Sequence, residues 1–139
     1  MRHLRVRRPV LLLAALWFAL YRDHSGLVRV GLLAALLHEC GHVAVWLALT
    51  RSLPVLRLSV RGVGLDVSGV HLSRRQAFVL ALAGPLTNFA LCAGTLAKMQ
   101  LRASYWGYFF AAANLATGLF NLLPVGDLDG RRLLQSLWP

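Results

Sequence analysis

Charge is what this chain has least of. Only 14% of its 139 residues are charged, against roughly 25% in an ordinary soluble domain. Acidic side chains are the scarcest, and Glu39 is the sole glutamate. Cysteine is also rare. Cys40 and Cys92 sit in separate apolar runs, without the spacing of a metal or disulfide pair, and read as small core residues. No internal repeat, low-complexity tract or linker divides the chain, so one domain over residues 1–139 is expected. A formal net charge of +10 invites a nucleic-acid reading. The basic residues, however, fall between apolar runs rather than along one face, few aromatics interleave with them, and no nucleic-acid module is present. That class of partner is excluded.

Apolar residues make up 58% of the chain. They cluster in stretches of about 20 residues, the length a helix needs to cross a hydrocarbon core of about 30 Å. An integral membrane protein in contact with the lipid bilayer follows. Four segments stand out, at about 8–21, 30–49, 75–98 and 104–123, and a short amphipathic tail, "GRRLLQSLW", closes the chain. The basic start and short apolar core of the first segment resemble a signal peptide, but no A-x-A site follows, so it reads as a first membrane helix. One side of the membrane collects eleven of the fifteen basic residues. That richer side should face the cytoplasm, which places both termini and the 50–74 connection there in a multi-pass plasma-membrane protein. Within that connection Leu56, Leu58 and Val60, then Val63, Leu65 and Val67, alternate with small or polar residues on either side of Gly62. Period-two alternation predicts a β-hairpin. The expected class is therefore an all-α integral membrane protein with about four transmembrane helices, a small β-hairpin between the second and third, and a broken loop after the fourth.

The chemistry concentrates in "LLHECGH", residues 36–42. At 3.6 residues per turn His38 and His42 share a helix face, with Glu39 beside them. Two imidazoles so placed can bind one zinc ion, and the adjacent carboxylate can take a proton from the water that zinc acidifies; H-E-x-x-H on a helix carries this mechanism in metalloproteases. The membrane context strengthens the reading. His38 lies about 12 Å along a span about 30 Å long, where ionisable groups cost several kcal/mol unless paired or hydrated.

A catalytic zinc normally has three protein ligands. The remaining candidates are Asp23, Asp66, Asp127, Asp129, His3, His24 and His71. Asp127 and Asp129 follow the fourth span in "NLLPVGDLDG", where Pro124 stops the helix and Gly126 and Gly130 permit tight turns. Irregular backbone lining a hydrated cavity could return a carboxylate to the histidines. Spacing does not choose between the two aspartates. Gly84 and Pro85 kink or loosen the third span, and Thr87, Asn88 and Asn114 read as interhelical hydrogen-bond partners.

Taken together, "HECGH", "AGPLTNF" and "NLLPVGDLDG" resemble the site-2 proteases, the intramembrane zinc metalloproteases, most of all the compact subgroup that includes the sporulation factor protease. The likeness covers about residues 30–135, and the family pattern N-x-x-P-x-x-x-L-D-G fits 121–130 without a gap. It implies one zinc per chain held by His38, His42 and Asp129, with Glu39 as the catalytic base. Asp127 then falls at a non-ligand position. Asn121 takes a substrate-binding or oxyanion role, and the hairpin offers an edge strand to an unwound substrate. The partner implied is a membrane-tethered protein cleaved in or near its transmembrane segment, alongside a possible homo-oligomer or regulatory membrane protein. The chain closes just after the L-D-G triplet, so the further helices and domains of relatives are not expected within it. Rival readings are a non-proteolytic zinc-binding membrane scaffold and a zinc transport component.

Overall fold

A computed structural model of the protein describes residues 4–6, 9–59, 62–66 and 70–138. In chain order these form β1 (Leu4–Val6), α1 (Pro9–Tyr21), α2 (Leu27–Thr50), β2 (Val55–Ser59), β3 (Gly62–Asp66), α3 (Arg74–Leu101), α4 (Tyr105–Asn121) and α5 (Asp129–Leu137).

This corrects the expected architecture. The helical class fits, but the described residues hold five helices, and only α2 and α3 are long and apolar enough to cross a membrane, where about four spans were expected. α1 has 13 residues and α4 has 17, which at 1.5 Å per residue gives about 20 and 26 Å. Between the second and third helices β2 and β3 do pair antiparallel, Val55–Ser59 against Gly62–Asp66, but they do not form the separate two-stranded hairpin expected. β2 lies inside a three-stranded sheet of order β1-β2-β3, with Leu4–Val6 paired parallel along its outer edge. A two-stranded ribbon is marginal in isolation and leaves open edges, and the N-terminal strand closes one of them. The edge of β2 is thus not free for a substrate strand. After the fourth helix the chain is irregular over residues 122–128, and α5 begins at Asp129.

Local chemistry sets the helix ends. Ser73 caps α3 in a reciprocal box, its Oγ accepting from the Gln76 backbone N–H at 3.3 Å while its own N–H donates to Gln76 Oε1 at 2.9 Å. Ser104 caps α4, accepting from the Gly107 N–H at 3.1 Å. Before α2 the chain turns through Gly26, whose φ of 77° is left-handed and whose Cα faces the Trp106 ring, so a side chain has neither the conformation nor the room.

Helices α2, α3 and α4 pack against one another, α5 lies on α3, and α1 makes a light contact with α2. The outer faces stay apolar: Val10, Leu13, Trp17, Phe18, Leu36, Leu86, Leu119 and Phe120 are all exposed. A water-soluble monomer does not carry apolar surface of this extent, and lipid is the solvent that fits it. Trp17 and Tyr21 near the end of α1, and Tyr105, Trp106 and Tyr108 at the start of α4, are exposed at the ends that Gly26 and Trp106 bring together. Aromatic side chains collect in this way at a membrane–water interface.

At the same end, the 22–26 turn is tied by Asp23. Its Oδ2 accepts from the Arg29 backbone N–H at 3.0 Å and lies 3.6 Å from Arg29 Nε. Burial opposes ionisation of this carboxyl, but the Arg29 and Val28 backbone N–H groups, the Arg29 guanidinium and the Ser25 hydroxyl outweigh it and hold Asp23 below the usual carboxylate range. A group with a lowered folded pKa binds fewer protons folded than unfolded, so its stabilisation is full above the unfolded value and fades as pH falls through the folded one. Thermal unfolding in detergent should therefore show wild type more stable than Asp23→Asn at pH 6, with the gap closing below about pH 4, the ordinary range for Asp. A gap that stays constant down to pH 2 would contradict this.

Candidate metal centre

His38 and His42 lie on one face of α2, near its middle. The 24 residues of that helix span about 36 Å, and His38 is about 17 Å from Leu27. Both imidazoles are buried, each 3% exposed. Their Nε2 atoms are 3.1 Å apart, and Asp129 Oδ2 lies 2.9 Å from His38 Nε2 and 3.0 Å from His42 Nε2. Asp129 is itself buried.

The rest of the fold makes this meeting possible. On α3, Gly84 faces both rings, and a Cβ there would fall on the two Nε2 atoms. One turn along α2, Gly41 packs against Thr87 and the Ala83 carbonyl, so small residues on both helices let the backbones close up. Beyond α4 the chain turns through Gly126 (φ 58°) and doubles back. Gly130 then presses on the Leu122 carbonyl, where a Cβ would overlap it. That close return brings Asp129, the first residue of α5, to the histidines.

The donor chemistry fits a metal. His42 Nδ1 is 2.8 Å from the Leu80 carbonyl, which can only accept, so Nδ1 carries the proton and Nε2 presents a lone pair. His38 Nδ1 is 2.6 Å from Asn88 Oδ1, with the same consequence. Two lone pairs and a carboxylate oxygen therefore converge within a triangle of 2.9–3.1 Å, an arrangement that repels itself unless a cation sits among them. Zinc bonds of about 2.0–2.1 Å at tetrahedral angles separate ligand atoms by about 3.3 Å, so the triangle needs to open by only a few tenths of an ångström. Among the described residues this is the one group of three metal-type side chains that converges.

Other residues singled out in the sequence fall as follows. Glu39 is half-buried beside the histidines and makes no hydrogen bond among the described residues. Asp127 is exposed, whereas Asp129 is buried beside the two histidines. Asn121 is half-buried, and its amide N–H donates to the Thr117 carbonyl within α4 at 2.9 Å. Thr87 bonds the Ala83 carbonyl of its own helix at 2.8 Å, so it is not the interhelical partner expected. Asn88 and Asn114 do bond across helices. Cys92 is buried while Cys40 is exposed. Sequence reasoning missed Arg132, whose Nη1 is 3.8 Å from Asp129 Oδ1. Its position one turn after the L-D-G aspartate was the available signal.

The fold and this cluster define a helical membrane protein with a three-ligand site buried between its longest helices. No family model matches the chain. It is 37% identical over 122 residues to Rip3 of Mycobacterium tuberculosis, which bears a zinc metalloprotease name, a match covering 78% of this chain and 30% of that protein. It is 32% identical over 120 residues to sll0528 of Synechocystis, named likewise, covering 78% of this chain and 32% of the relative. The chain thus spans about a third of the length of these relatives. The solved Site-2 Protease from Methanocaldococcus jannaschii shares the fold with a TM-score of 0.67 at 22% identity, over 92% of this chain and 62% of that one. This chain is thus related in sequence to proteins named zinc metalloproteases and shares the fold of a site-2 protease, and its His-His-Asp group fits a zinc ion.

Proposed function

We propose that this protein hydrolyses peptide bonds in or near the transmembrane segments of membrane-tethered proteins. The observation that carries the reading is the convergence of His38, His42 and Asp129 at mid-depth of a membrane helix, with Glu39 alongside. In this reading His38, His42 and Asp129 hold the ion. Zinc, when bound, supplies Lewis-acid character that acidifies water and polarises a carbonyl. Glu39 accepts the proton of the attacking water and passes it to the departing amine nitrogen as the C–N bond breaks. One N–H of Asn121 is taken by Thr117; its second is the donor assigned to the developing oxyanion. Burial of the ligand set behind Gly84 and α3 limits water to what the reaction consumes. The distribution of basic residues supports a cytosolic position for both termini and the 50–74 connection, with the start of α3 and the end of α4 at the cytosolic face.

Reconstitution with a tethered substrate tests this. Glu39→Gln should lower cleavage at least about 100-fold, within the range general acid–base catalysis supplies, while bound zinc stays near wild type. Undiminished cleavage would remove Glu39 from its role. Wild-type protein that holds zinc yet never cleaves would favour the zinc-binding scaffold instead.

A further inference from the structure

Helix α4 supplies none of the three converging atoms, yet it is wired to one of them through fully buried amides. Asn88 on α3 and Asn114 on α4 are both 0% exposed. Asn114 Nδ2 donates to the Phe110 carbonyl at 2.9 Å, which turns its Oδ1 towards Asn88. Asn88 Nδ2 donates to that Oδ1 at 2.8 Å and to the Ala34 carbonyl at 3.1 Å. With both Nδ2 hydrogens committed to acceptors, Asn88 can offer His38 only its Oδ1. The two histidines are therefore held differently. His42 is set by a backbone carbonyl, which cannot flip. His38 is set by a side-chain amide, which can turn over and would then present N–H groups to the ring.

We propose that Asn114 and Asn88 form an orientation relay that locks His38 with its proton on Nδ1 and its Nε2 lone pair towards Asp129. Asn88 and Asn114 are positioning residues in this scheme. Buried polar groups are costly unless satisfied, and this chain gives each amide oxygen and nitrogen it contains a partner, down to the α4 backbone. Its consequence for zinc rests on the function proposed above; the tautomer lock does not.

Two readouts separate those claims. In metal-free protein carrying ¹⁵N-histidine, at a pH where both rings are neutral, the His38 ring should show Nδ1 protonated in wild type and a mixture of tautomers in Asn114→Leu. His42, bonded to a backbone carbonyl, should be unchanged in both. Zinc affinity by chelator competition should fall about 10–100-fold in Asn88→Leu, the usual cost of losing a partner behind a metal-bound histidine, and about tenfold in Asn114→Leu. Asn88→Asp presents acceptor oxygens on both sides, so orientation no longer matters. Adding Asn114→Leu to it should leave affinity within about threefold of Asn88→Asp alone. Should Asn114→Leu not fold, as circular dichroism would reveal, Asn114→Ala takes its place. A single Nδ1-protonated His38 in the Asn114 variant, or a zinc defect that persists in the Asn88→Asp background, would overturn the relay. Wild type that shows the expected tautomer but binds no zinc would support the relay and defeat the proposed function.

Discussion

Gly84→Ala should empty the protein of zinc while leaving its helices in place. Alanine is favoured over glycine in a helix interior by about 1 kcal/mol, so α3 itself gains from the change. The added methyl, however, points at the ion's position: it would fall on His38 Nε2 and His42 Nε2 and lie 2.6 Å from His38 Cε1. Those atoms are the ends of side chains, which rotate away far more cheaply than backbone moves. The expected result is a folded protein with its imidazoles pushed apart. Zinc affinity should drop more than about 100-fold, beyond the usual cost of losing an outer hydrogen-bond partner. Metal analysis of purified protein, beside circular dichroism, measures both halves. A zinc content equal to wild type would mean that the ion does not sit under Gly84.

The second large effect distinguishes two aspartates two residues apart. Asp129→Asn should abolish high-affinity zinc binding, again by more than about 100-fold. The carboxamide loses the charge, and its N–H groups can bond the imidazole lone pairs 2.9 and 3.0 Å away, which closes the site against an ion. Asp127→Asn, at an exposed position, should stay within about twofold of wild type, since surface substitutions seldom matter. Chelator competition on the pair gives the comparison. Equal losses in both, or a larger loss at Asp127, would refute the ligand set.

Both predictions turn on residues whose importance differs in visibility. In the sequence Asp129 was one of two aspartates after a helix-stopping proline, and only the likeness of its L-D-G triplet to the site-2 protease pattern preferred it. Gly84 was visible only as a kink or packing residue, since its role is the space it leaves for side chains of another helix. The same limit hid the partners of the histidines. Asn88 and Asn114 were legible as polar residues in apolar helices, but which atom each presents depends on three helices meeting. The Leu80 carbonyl has no side-chain signature at all. Arg132 reads from sequence as one more basic residue of an amphipathic tail, and only the return of α5 puts it beside Asp129.

The extended elements show the converse. Period-two alternation marked residues 56–67 from local pattern alone, but local pattern cannot say what pairs with an edge. The partner of β2 lies some fifty residues upstream, in the segment before α1. Nor could hydropathy decide which apolar runs are long enough to span, because helix ends depend on caps and turns as well as on composition: α1 stops at Tyr21 and α4 at Asn121.

By itself the sequence determined the solvent of this protein, the helical periodicity of its apolar runs and the chemistry of one helix turn, because hydrophobicity and i, i+4 spacing are properties of neighbouring residues. Only the tertiary structure decided which carboxylate reaches the histidines, which glycine makes room for the site and which amides hold one imidazole. Those are contacts between residues some 25 to 90 positions apart, and they exist only once α2, α3, α4 and α5 have packed.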